Sequence, residues 1–93
     1  DFLLLPELLA RKGEIQLRTG QTPFGLESIA RAIALKPDYW LPYALTSDYY
    51  KSVGDLDRAG QWLRDGLIKS PDATALKARL DVLERKSAPR TGN

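Results

Sequence analysis

Cysteine, histidine and methionine are absent from this 93-residue chain. Without cysteine there is no disulfide framework and no thiolate metal site, and the redox compartment is left open. Without histidine the commonest metal ligand and the usual general base near neutral pH are missing. No Gly-rich phosphate loop, metal-ligand spacing or nucleophile–base pair fills the gap, so the reading is non-enzymatic, with no cofactor and no metal. Long apolar runs are lacking too. Phe2-Leu3-Leu4-Leu5 is far short of the roughly 18 residues that span a bilayer and too short for a signal-peptide core, which argues against membrane insertion. Charge of one sign is scarce: the formal net charge of +2 does not by itself imply nucleic acid. Residues 74–93 do hold five Lys/Arg against two acids, but basic blocks that attract nucleic acid are usually denser. This excess reads as a solvated last helix with a frayed tail. The start at Asp1 without any Met predicts a piece of a longer protein or a processed product.

What is present is punctuation that recurs at a fixed interval. Gly20 matches Gly54, Pro37 matches Pro71, Asp38 matches Asp72 and Ala10 matches Ala44, while residue character recurs between Gly13 and Ser47, Gly25 and Ala59, Ile29 and Leu63, Ala32 and Gly66, and Ile33 and Leu67. The interval, about 34 residues, is the period of a helix–turn–helix array, in which each unit completes its core only by stacking on its neighbours. Hydrophobic content of 43% is that of a folding chain, and the length is one domain.

Five helices follow from the pattern. The first is expected over about Leu3 to Thr19, ended by Gly20, which takes a left-handed conformation without a Cβ penalty. Thr22 is expected to cap the second helix, with Pro23 at its first position and Leu26, Ile29, Ala30 and Ile33 on one face. Pro37 ends it. The third helix begins near Asp38–Trp40 and stops before Gly54. Asp55 caps the fourth, with a stripe of Leu56, Ala59, Leu63 and Leu67. The fifth runs over about Ala73–Lys86 with Leu76, Leu80 and Leu83 inward and Lys77, Arg79, Asp81, Glu84 and Arg85 wet, the division a terminal capping helix needs. Residues 87–93 have no pattern and are expected to be disordered.

With Pro37 and Pro71 at repeat position 32, residues 6–39 and 40–73 place Gly13 and Ser47 at position 8, Gly25 and Ala59 at 20, Ala32 and Gly66 at 27, and Tyr43 and Tyr50 at 4 and 11. On these positions the chain resembles the tetratricopeptide repeat (TPR) family. Leu9, Gln16 and Thr46 depart from the pattern, and Gln16 suggests a weaker fit of the first helix. The resemblance implies an all-α fold of antiparallel helix hairpins forming a short right-handed solenoid. It also implies a protein-interaction scaffold whose groove is lined by the first helix of each pair. The groove positions are Glu7, Arg11, Glu14, Arg18, Leu41, Leu45, Asp48, Lys51 and Arg79, with Leu41 and Leu45 expected to stand exposed. The chaperone-clamp subclass is rejected: of Ala10, Glu14, Leu45, Ala75 and Arg79 only the last matches its Lys/Asn/Arg set.

Other features have a functional and a structural reading. Tyr39, Trp40, Tyr43, Tyr49 and Tyr50 form an aromatic group that suits a peptide anchor, although Tyr43 and Tyr50 belong to the inter-repeat core by position. Trp62 is expected to pack under the last helix. The Phe2, Leu3, Leu4, Leu5 face is expected to have packed on a preceding repeat, and it offers a route to a homodimer. Asp55 and Asp57 sit at a helix start, where acids suit the N-terminal dipole, and are not read as a catalytic pair. The leading function is therefore a module binding a peptide or protein surface. The alternative is a structural segment packing within its own polypeptide beside a catalytic or membrane part.

Overall fold

A computed structural model of the chain describes residues 5–87. Among them there is no strand, and five helices follow in order: α1 Leu5–Arg18, α2 Thr22–Leu35, α3 Trp40–Ser52, α4 Leu56–Lys69 and α5 Thr74–Ser87. α2 and α4 begin and end one repeat period apart, as do the ends of α1 and α3 and the starts of α3 and α5.

The turns repeat hydrogen bond for hydrogen bond. Gly20 and Gly54 take φ of 86° and 85°, a region a side chain would make costly. Beyond each glycine the chain doubles back onto the preceding helix: the Gln21 N–H donates to the Gln16 carbonyl at 2.8 Å, and the Asp55 N–H to the Tyr50 carbonyl at 2.9 Å. The second helix of each pair closes alike, with Lys36 N–H donating to Ala32 and Ser70 N–H to Gly66. Tyr39 N–H then donates to Lys36 and Ala73 N–H to Ser70, each at 3.1 Å. Pro37 and Pro71 sit inside these second turns, where they cannot continue a helix.

Small residues set the spacing of each pair. A Cβ on Gly13 would lie 2.9 Å from the Gly25 carbonyl oxygen and 2.9 Å from Ile29 Cγ1, and one on Gly25 would meet Leu17 Cγ at 2.8 Å. Gly13 against Ile29 and Leu17 against Gly25 run in opposite sequence directions, so α1 and α2 lie antiparallel. At the equivalent place in the second pair Ser47 donates its hydroxyl to the Ala59 carbonyl at 3.0 Å. The backbones are thus close in both pairs, once by glycine alone and once with a hydroxyl satisfying a carbonyl.

α3 is the middle of the molecule, packed against α1, α2, α4 and α5, and every residue from Leu41 to Ser47 is buried. Two apolar clusters flank it. Ala10, Ala32, Leu41 and Leu45 form one, bordered by Leu9 and Tyr39. Tyr43, Ala44, Ala59, Leu63, Leu76 and Leu83 form the other, bordered by Ile33, Tyr50, Leu56, Trp62, Leu67 and Leu80. Full burial of each such leucine is worth about 1.5–3 kcal/mol relative to exposure. Tyr43 joins the layers: its ring fills the space a Gly66 side chain would need, it meets Trp62 at 6.2 Å between centroids, and its hydroxyl donates to the Pro37 carbonyl at 3.2 Å.

Several local expectations are corrected. Thr22 does not cap α2: it lies within the helix, Gln21 holds the cap position, and no side chain caps there. Pro23 is therefore the second helical residue. Ala30 is exposed, outside the apolar face. Asp55 does cap α4, accepting from the Arg58 N–H at 3.0 Å. Phe2, Leu3 and Leu4 and the tail from 88 onward lie outside the described residues; Ser87 closes α5.

Candidate functional site

Glu7, Arg11, Glu14 and Arg18 fall at helical spacing along one face of α1 and close on themselves as ion pairs. Arg11 meets Glu7 at 3.4 Å and Arg18 meets Glu14 at 3.1 Å. Such exposed pairs stabilise a helix by only about 0.2–0.5 kcal/mol, and both arginines keep more than half of their side-chain surface in solvent. They are therefore cheap to redirect toward another carboxylate. The charges of Glu7 and Arg11 are also felt at Tyr39, the residue before α3: its phenol is pushed above its ordinary value first by burial and then by Glu7, with Arg11 acting in opposition.

Across the molecule, Arg79 of α5 grips Asp48 of α3 through two parallel hydrogen bonds, Nε to Oδ1 at 3.0 Å and Nη2 to Oδ2 at 3.2 Å. Its third nitrogen donates to the Ala75 carbonyl at 3.2 Å. A forked pair of this kind fixes orientation more firmly than a point charge. Lys51, in the last turn of α3, is exposed and makes no ion pair among the described residues.

Leu41 and Leu45 do not join this strip. They are 4% and 7% exposed and seal the seam between α1 and α3 together with Ala10 and Ala32. The expectation that they stand open in a groove is corrected, because α3 is covered on more sides than a helix bordered by a free concave surface. One repeat onward from Leu45 stands Arg79, so equivalent positions close the first seam with a leucine and the second with an ion pair. The surface left by the first helix of each unit is polar: Arg11, Glu14, Arg18, Asp48, Lys51 and Arg79.

The aromatic group resolves into pairs. Tyr39 and Trp40 meet edge to face at 6.4 Å, and Tyr49 and Tyr50 at 5.2 Å, while Tyr43 turns away to Trp62 in the core. Arg58 lies over the Tyr50 ring at 5.9 Å. Among these rings Trp40, at 37% exposure, is the most open. Among the described residues no three His, Cys, Asp or Glu gather into a set that could hold a metal ion, and no helix is long and apolar enough to cross a membrane.

Two polar residues, one of them Gln16, are partners across the first helix pair. Ser28 of α2 is buried and donates its hydroxyl to Gln16 Oε1 at 2.6 Å. Gln16 therefore fastens α1 to α2 where a weak fit was expected. A glutamine at a position suited to an aromatic ring, with a serine facing it from the next helix, is the signal for this contact.

Comparison with protein-family models, curated proteins and solved structures found no match.

Proposed function

We propose that the chain is a TPR-like protein-interaction module: two helix pairs and a capping helix in a short right-handed solenoid, binding a peptide or protein surface along its first helices. The observation carrying this reading is the recurrence, one repeat period apart, of both the turn hydrogen bonds and the close helix contacts at small residues. Stacked helix pairs present extended surfaces for binding. The surface used is the polar strip of Arg11, Glu14, Arg18, Asp48, Lys51 and Arg79. Because it carries both signs, its partner is a mixed-charge peptide or protein surface, and capture weakens as salt screens exposed charges.

The test is an affinity capture from lysate of the source cells, comparing the native chain with Arg11→Glu/Arg18→Glu/Lys51→Glu. These three side chains are exposed, so the variant should keep its helix content. A partner held by the native chain and lost from the variant supports the reading. Equal capture by a folded variant rejects the strip as the binding surface.

A further inference from the structure

The repeat register exposes a second surface, independent of the strip. On α1, Leu8, Lys12 and Ile15 lie on one face, and Leu8 and Ile15 are each 61% exposed. Their equivalents on α3 are Pro42, Thr46 and Tyr49. Pro42 and Thr46 are fully buried and Tyr49 half-buried, on a helix packed against α1, α2, α4 and α5. Their equivalents on α5 are Leu76, Leu80 and Leu83, with Leu76 and Leu83 buried against α3 and α4. The same face is thus covered twice by packed helices and stands uncovered once. Beside it, Leu5, Leu9, Arg31, Ala34 and Leu35 line an open, mainly apolar pocket of about 380 Å³ between the start of α1 and the end of α2.

The charges on this surface select what covers it. Lys12 occupies the centre of the stripe, where α3 has Thr46 and α5 has Leu80, and Arg31 lies in the pocket wall. Neither makes an ion pair among the described residues, and Glu27, one turn before Arg31, does not reach it. A second copy docking α1 on α1 about a two-fold axis would bring the two Lys12 side chains together near the axis, since such an interface is self-complementary. Burying like charges opposes that arrangement.

We propose that the Leu8–Lys12–Ile15 face and the adjoining pocket dock an amphipathic helix of another protein, one that carries a carboxylate between its apolar residues. Leu8 and Ile15 take the apolar residues, Lys12 and Arg31 take carboxylates, and the pocket takes one aliphatic side chain. The packing continues the arrangement already used twice inside the chain.

The experiment is fluorescence anisotropy with a labelled synthetic amphipathic peptide of about 18 residues, long enough to form a helix on contact. It carries leucines one turn apart and a glutamate between them; a second peptide has lysine in place of the glutamate. The glutamate peptide should bind at least about tenfold more tightly than the lysine peptide, the ratio expected when a charge pair is desolvated at an interface. Lys12→Glu should reverse that preference. Leu8→Asp/Ile15→Asp should abolish binding with an unchanged circular dichroism spectrum, since both side chains are largely exposed. Lys12→Glu provides the test even if the double variant loses structure. Equal binding of both peptides, no binding of either, or unchanged preference in Lys12→Glu overturns the proposal. So does sedimentation showing that a dimer of the native chain, lost in the double variant, occupies the face.

Discussion

At the scale of single residues, two glycines in helices have opposite roles. The Cβ of Gly25→Ala would meet the Gly13 carbonyl oxygen at 2.9 Å as well as Leu17. Backbone cannot swing aside, so the substitution should destabilise the chain by about 1–3 kcal/mol in urea denaturation. A Cβ at Gly60 meets first the end of the Arg64 side chain, at 3.1 Å, which moves at little cost. Gly60→Ala should therefore leave stability unchanged or raise it by up to about 1 kcal/mol through helix propensity. Equal losses in the two variants would mean that α1 and α2 are not in backbone contact. Ser28→Leu, harmless had Ser28 faced solvent, should destabilise, because it crowds a buried site and strands the Gln16 amide.

Asp55 gives a pH signature at the same scale. The Arg58 backbone N–H, then the Arg58 side chain, hold its carboxyl below the ordinary value of 3.8. With the folded value lowered, its contribution is fully present above the unfolded value and is lost as pH falls through the folded one. Asn accepts the same capping hydrogen bond but does not titrate. Asp55→Asn should thus melt near the native temperature at pH 7 and lose less stability than the native chain on acidification below 3.8. Superimposable pH–stability curves would show that the cap is not charge-assisted.

At the scale of elements, α3 decides how well the sequence could be read. The turns were legible because glycine and proline constrain the backbone directly: Gly20, Gly54, Pro37 and Pro71 mark chain reversals whatever packs nearby. The small residues were legible because two helices approach closely only where side chains are small. Leu41 and Leu45 were misplaced because their surroundings depend on neighbours distant in sequence, and α3 buries every residue from Leu41 to Ser47, around its whole circumference. Polar burial was hidden for the same reason: nothing local to α2 marks Ser28 as the partner of Gln16. Leu41→Glu/Leu45→Glu should unfold the chain, since two carboxylates would enter a closed apolar seam; a variant melting at the native temperature would return these leucines to the surface. α5 is held more by Leu76 and Leu83 than by Arg79. Leu76→Ala should cost about 2–5 kcal/mol, whereas Arg79→Ala, which breaks a pair more than one-third exposed, should cost within about 1 kcal/mol. The reverse order in denaturation would make the ion pair the principal tie of α5.

At the scale of the whole molecule, one interface used twice organises both candidate surfaces. The first helices supply the polar strip, and the uncovered face of α1 offers the packing surface that α3 and α5 bury. The two should separate by salt dependence: partner capture by the strip should weaken markedly between low and high salt, while docking at the α1 face should keep its apolar share of affinity. Both depend on the repeat register. Solution NMR tests it most directly, through nuclear Overhauser contacts between sequence-distant protons. The expected contacts are Gly13 with Ile29, Gly25 with Leu17, and Gly66 with both Tyr43 and Leu76, since those side chains occupy the space that a Cβ on each glycine would need. Five helices showing only contacts within each helix, or pairings displaced by a turn from these, would contradict the repeat and the two surfaces built on it.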